Sequence, residues 1–207
     1  VERKRLLFFS GFLAINSINA MIFANIDRLM LGYYIDAKFI GFYTAIFTLI
    51  SGMLAIVSLG GVVLPVFVGL EKEKLKSAFQ KVFHYMLIIA LPSTIGLAFV
   101  LIPLMKILYG AAYVPIENEF SLTITSALLS LLVVEGTITG LYSSLFNAKE
   151  KPKWPALILF LAAISNILLN FIFISILIKI KPEYGLIGAA LATFLTRYAT
   201  LFVLSIF

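Results

Sequence analysis

The chain has 207 residues, of which 62% are hydrophobic and only 13% charged. A soluble domain is nearer half apolar and a quarter charged, so this much apolar surface calls for lipid as its solvent. The lack of cysteine excludes disulfides and thiolate metal sites, and the single histidine, His84, leaves no basis for a histidine-ligated metal. The net charge of +6 follows the loops between apolar runs, which reads as membrane topology rather than nucleic-acid binding.

A spanning helix needs about 20 mostly apolar residues. Six runs qualify, at about 6–32, 39–68, 82–108, 120–147, 155–179 and 185–207. The expected architecture is therefore an all-α, polytopic membrane protein: a single bundle of six transmembrane helices over 1–207, with no soluble domain and no internal repeat. The opening "VERKRLLFF" could begin a signal peptide, but the apolar run continues to about Leu31 without a small-residue cleavage site, so it reads as the first span. A start at Val1 and an end within an apolar run at Phe207 suggest a piece of a longer protein.

The first span carries Asn16, Ser17, Asn19, Asn25, Asp27 and Arg28. At about 100° per residue, Asn19 and Asp27 fall within about 60° of Asn16, with Arg28 and Ser17 at the edge of that stripe. Lipid cannot satisfy such a stripe, so it is expected to face a water-filled cavity or other polar helices. The alternative is that Asp27 and Arg28 anchor the helix end at the interface by snorkelling. Pro65 falls near the end of the second span, and Pro92 and Pro103 fall in the third; each is a candidate kink. Between these spans, "EKEKLKSAFQK" at 71–81 is expected to form an amphipathic helix on the membrane surface.

The fourth span holds Glu135 beside "GTITG", a GxxxG pattern at 136–140, and the sixth holds Arg197 with the small pair Gly188 and Ala192. Small residues let helices approach closely in lipid. A lone charge at mid-membrane costs at least ~2.5–3.5 kcal/mol, so Glu135 and Arg197 are expected to pair, with proton or cation coupling at Glu135 as the alternative. Asn166 and Asn170, one turn apart in the fifth span, are candidates for polar contacts between helices. His84 and Trp154 read as interfacial residues.

Basic residues set the orientation. Ten lie on one side (Arg3, Lys4, Arg5, Lys72, Lys74, Lys76, Lys81, Lys149, Lys151, Lys153) and four on the other (Lys38, Lys106, Lys179, Lys181). The richer side is expected to be cytoplasmic, which places both termini there. No phosphate loop, nucleophile–base pair or acidic metal cluster is present in the sequence, so neither an enzyme, a cofactor nor a metal is expected.

Five stretches in order resemble the polysaccharide flippases of the multidrug/oligosaccharidyl-lipid/polysaccharide exporter superfamily. "NIDRLMLGYYIDAKFIGFYTAIFTL" (25–49) is similar to the seventh helix and its connection, with Asp27-Arg28, Leu31-Gly32 and Gly41-Phe42-Tyr43. "VLPVF" with its charged loop (63–76), "ALPSTIGLAFVLIPLMKILYGAAY" (90–113), "NAKEKPKWPALILFLAAISNILLNFIFI" (147–174) and "YGLIGAALAT" (184–193) resemble the eighth to twelfth helices. Glu135 has no counterpart in the pattern. The resemblance implies the second of two six-helix lobes, which rock about a central cavity to move a lipid-linked oligosaccharide across the cytoplasmic membrane. Asn16, Asn19, Asp27 and Arg28 would then border that cavity, with Arg28 meeting the lipid pyrophosphate. The implied partners are membrane lipid, the lipid-linked oligosaccharide and the first lobe of the same parent chain. A cation-coupled multidrug exporter of the same superfamily and a non-transporting scaffold subunit are the alternatives.

Overall fold

The computed structural model describes residues 25–58 and 60–206, together with Ser10, Gly11, Ala14, Ser17, Ile18 and Met21. About half of the first expected span lies outside these residues; its last part, 25–34, is helix α1. The remaining helices are α2 (Ala37–Val57), α3 (Gly60–Val68), α4 (Lys72–Tyr109), α5 (Glu119–Ser130), α6 (Leu132–Ala148), α7 (Lys153–Leu177) and α8 (Gly185–Ile206). Three single 3-10 turns join α4 to α5 and α7 to α8, and no strand occurs among the described residues. Five stretches are long and apolar enough to cross a membrane: Ala37–Val68, Glu73–Tyr109, Ala111–Ala148, Lys153–Leu177 and Pro182–Ile206. The protein is an all-α, multi-pass membrane bundle.

Two spans are broken where the sequence suggested continuity. The second pauses at Ser58, whose backbone is extended (φ −77°, ψ 118°), immediately before Leu59 and the Gly60–Gly61 pair. Pro65, the expected site of bending, sits inside α3. The fourth span is interrupted at Leu131, between α5 and α6. The backbone stays helical there (φ −61°, ψ −20°), and the Leu131 carbonyl accepts both from Glu135 N–H at 3.3 Å and from the Tyr198 hydroxyl of α8 at 2.9 Å.

The polar segment 71–81 also departs from expectation. It is not a separate surface helix but the opening of α4, which runs unbroken through Pro92 and Pro103. Its 38 residues span about 57 Å, nearly twice the hydrocarbon core of about 30 Å, so the first turns extend beyond the membrane. The physical reason is packing. Leu75, Ala78, Phe79 and Val82 lie against Phe67 of α3 and Leu141 of α6, so the apolar face is covered by protein and not by lipid. No glycine or proline falls between Glu73 and Leu91 to stop the helix.

Most of the core forms one cluster around Tyr43, Ile46, Leu101, Met105, Leu122, Leu129, Leu186 and Ala189. Outward-facing residues such as Phe99, Ile107 and Phe171 present the apolar surface that lipid requires. The small residues close the helix contacts. A Cβ on Gly188 would come within 2.9 Å of the backbone of Phe173 and Ile174, so α7 and α8 touch main chain to main chain. Gly136 lies against the Leu54 side chain and Gly140 near Ser58, which seats the GxxxG face of α6 on the end of α2.

Candidate functional site

The close approach of α7 and α8 brings a polar group to the centre of the bundle. Asp27 of α1 is 2% exposed and accepts three hydrogen bonds. The Tyr43 hydroxyl of α2 donates to Oδ2 at 2.7 Å, the Thr193 hydroxyl of α8 donates to Oδ2 at 2.6 Å, and Asn170 Nδ2 of α7 donates to Oδ1 at 2.8 Å. Asn170 Nδ2 also donates to Asn166 Oδ1 at 3.1 Å, and Asn166 Nδ2 donates to Thr193 Oγ1 at 3.1 Å. One carboxylate thus ties four helices together through buried donors, the arrangement a buried ion needs to offset its lost hydration.

Of the two surroundings expected for the stripe, a water-filled cavity or other polar helices, Asp27 has the second. Its carboxylate points into the bundle, because α2, α7 and α8 supply the donors there. Asn16 and Asn19, the other members of that stripe, lie outside the described residues. Arg28 takes another direction. It is partly buried, Nη1 donates to Asn25 Oδ1 at 3.3 Å, and the guanidinium sits 5.1 Å from the centre of the Phe47 ring. Its Nε is buried with no hydrogen-bond partner.

Glu135 is 1% exposed, one turn past the break at Leu131, and accepts a hydrogen bond from Thr139 Oγ1 at 2.7 Å. The positive charge of Arg197 on α8 acts on both Glu135 and Asp27. Arg197→Gln and Glu135→Gln are each expected to destabilise the bundle by roughly 3–5 kcal/mol, because each strands a buried charge. Denaturant titration of the two single variants and the double variant checks this; strictly additive losses would mean that the two residues do not interact.

Tyr43 and Thr193 belong to the cluster and escaped notice in the sequence. Tyr43 lay in the Gly-x-Tyr element without a role, and Thr193 lies one turn before Arg197 on a face shared with Thr196 and Thr200. Asn166 and Asn170 do make contacts across helices, to Thr193 and to Asp27. Chemically the cluster is a set of hard oxygen atoms: the Asp27 carboxylate, two amide oxygens and two hydroxyls. Asn170 Oδ1 is buried without a hydrogen-bond partner. Such a set would suit a proton or a small hard cation and no soft metal. Groups of three or more His, Cys, Asp or Glu are absent among the described residues.

A family model described as polysaccharide biosynthesis protein matches residues 2–118, more than half of the chain. The chain belongs to the polysaccharide biosynthesis protein family. No curated protein and no solved structure matches it. This polysaccharide biosynthesis protein is thus a multi-pass membrane member of its family. The matched stretch contains Asp27 and Tyr43, whereas Asn166, Asn170 and Thr193 come from the remainder of the chain. The buried cluster therefore joins the family-matched part to the part beyond it.

Proposed function

We propose that the protein is part of a flippase that carries a lipid-linked oligosaccharide across the cytoplasmic membrane by alternating access, with both chain ends on the cytoplasmic side. The observation that supports this best is membership of the polysaccharide biosynthesis family by a chain made almost wholly of membrane helices. Glycan assembly on a lipid carrier leaves a polar sugar–pyrophosphate on one side of a bilayer, and that headgroup crosses hydrocarbon only if a protein supplies polar surroundings. On this reading the protein transports and does not catalyse. Its partners are membrane lipid, the glycan-bearing lipid and a first lobe of the same parent chain.

Arg28 is the base of α1, and its buried Nε lacks a partner, so the guanidinium has binding capacity left for an anionic headgroup. Arg28→Ala is expected to abolish glycan export in a complementation assay while membrane abundance stays normal. Arg28→Lys should restore export partly at best, because lysine keeps the charge but not the planar fork. Full export by Arg28→Ala, or full rescue by lysine, would reduce Arg28 to an interfacial anchor.

A second reading, a cation-coupled exporter of small molecules, draws on the oxygen-rich cluster at Asp27. A substrate-dependent proton or sodium flux that ignores polyprenyl lipids would favour it. A scaffold role predicts that transport persists without this chain.

A further inference from the structure

One groove of the bundle is unconnected with the Asp27 cluster. It lies between the N-terminal half of α2 and the turn that ends α4, encloses about 400 Å³, and includes Gly41, Thr44, Ala45, Thr48, Tyr109 and Tyr113 in its lining. That volume is within the roughly 300–1,000 Å³ typical of small-ligand clefts. The floor is low because of Gly41: a Cβ there would meet no atom within 4 Å. No lining residue is charged. The neighbouring cations are engaged elsewhere, Lys106 with Glu119 at 2.8 Å and Lys38 over the Phe39 ring at 4.9 Å.

The hydroxyls of this groove, like those of Thr94 and Thr125 elsewhere, are not committed within the protein. Serines and threonines in a membrane helix usually bond back to the carbonyl one turn earlier. Ser93, Thr123, Thr137, Ser165, Thr196 and Thr200 all do so, at 2.7–3.0 Å. Thr44 and Thr48 make no such bond, and the Tyr109 and Tyr113 hydroxyls have no partner among the described residues. The two tyrosines stand with ring centroids 5.3 Å apart, 37% and 36% exposed. Tyr113 is steadied by Phe42 at 6.0 Å. The groove therefore presents four uncommitted hydroxyls and two amphipathic ring faces around a shallow floor. A sugar ring offers the complement, with hydroxyls at its rim and C–H groups on its faces.

We propose that the groove between α2 and the Tyr109–Tyr113 turn is a binding subsite for an uncharged saccharide unit of the glycan. The proposal rests on the flippase reading and adds where the sugar is held. It also separates two jobs: the Asp27 cluster ties the bundle together, and the opposite side of α2 holds the sugar. Lipid tails would not select four hydroxyls, and a packed helix would leave them without partners in a dry contact.

The test uses the absence of cysteine from these 207 residues, with any cysteine elsewhere in the parent protein replaced by serine. In the full parent protein, Thr48→Cys is labelled with a maleimide in the presence of lipid-linked oligosaccharide extracted from the producing cells. Parallel arms contain the glycan released by mild acid and the stripped polyprenyl lipid. Intact extract and released glycan are expected to slow labelling about tenfold, roughly one good hydrogen-bonding or stacking contact. Stripped lipid should have no effect, and the protection should vanish with Tyr109→Ala or with Gly41→Leu, which fills the floor. Protection by the stripped lipid alone, or by neither component, would overturn the subsite. Export complementation keeps the two ideas apart. If the unaltered protein restores no export, the flippase reading fails. If it restores export and Gly41→Leu exports equally well at equal abundance, the subsite alone fails.

Discussion

Asp27→Ala is expected to cost the bundle roughly 3–5 kcal/mol. The carboxylate is 2% exposed and accepts from Tyr43, Thr193 and Asn170 at once. Alanine would leave two hydroxyls and an amide N–H₂ without their acceptor, and no water follows into so closed a site at little cost. Asp27→Asn should be far milder. Hydroxyls both donate and accept, so Tyr43 and Thr193 can turn to accept from the new amide while its oxygen still receives Asn170. Denaturant titration in detergent, with export measured on the same variants, separates the roles of this residue. A stable Asp27→Asn protein that no longer exports would assign the negative charge to coupling. A stable and active one would leave Asp27 as a structural tie. An Asp27→Ala protein as stable as the parent would contradict the hydrogen-bond geometry itself.

The second large effect is expected at Gly188. An added Cβ would sit 2.9 Å from the nitrogen of Ile174 and from the carbonyl carbon and oxygen of Phe173, all main-chain atoms that cannot swing aside. Gly188→Ala must therefore push α7 and α8 apart, at about 1–3 kcal/mol or more for overpacking a rigid contact. The separation would also stretch the Asn166–Thr193 bond, now 3.1 Å, and so loosen the Asp27 cluster from a distance. Two other glycines serve as contrasts. At Gly136 the nearest atoms belong to the tip of Leu54, which can change rotamer, so Gly136→Ala should be cheap. At Gly96, inside α4, an added Cβ meets nothing within 4 Å, and Gly96→Ala should stabilise by about 0.4–1 kcal/mol through helix propensity and the unfolded chain. The ordering Gly188, then Gly136, then Gly96 in thermal unfolding is the expected result; a Gly188→Ala protein no weaker than Gly136→Ala would mean that the helix contact is looser than it stands.

Several of these features were legible in the sequence for a simple reason: lipid punishes the same errors everywhere along a chain. Apolar runs of spanning length had to be helices, since no other open backbone satisfies itself in hydrocarbon. Asn166 and Asn170 at a one-turn spacing had to share a face, and Gly188 with Ala192 had to mark a close contact. Composition and residue spacing alone thus determined the helical, multi-pass class and which charges needed partners. Which partner each one found was decided only by the tertiary structure. Asp27 turned inward because three other helices bring hydroxyl and amide donors to one point, and donors so far apart in the chain leave no periodic trace. The Leu131 carbonyl gains a second donor from a tyrosine on another helix, and the opening of α4 stays attached to its span because α3 and α6 cover its apolar face. Each is a long-range contact, whereas helical periodicity reports only on a residue's own turn.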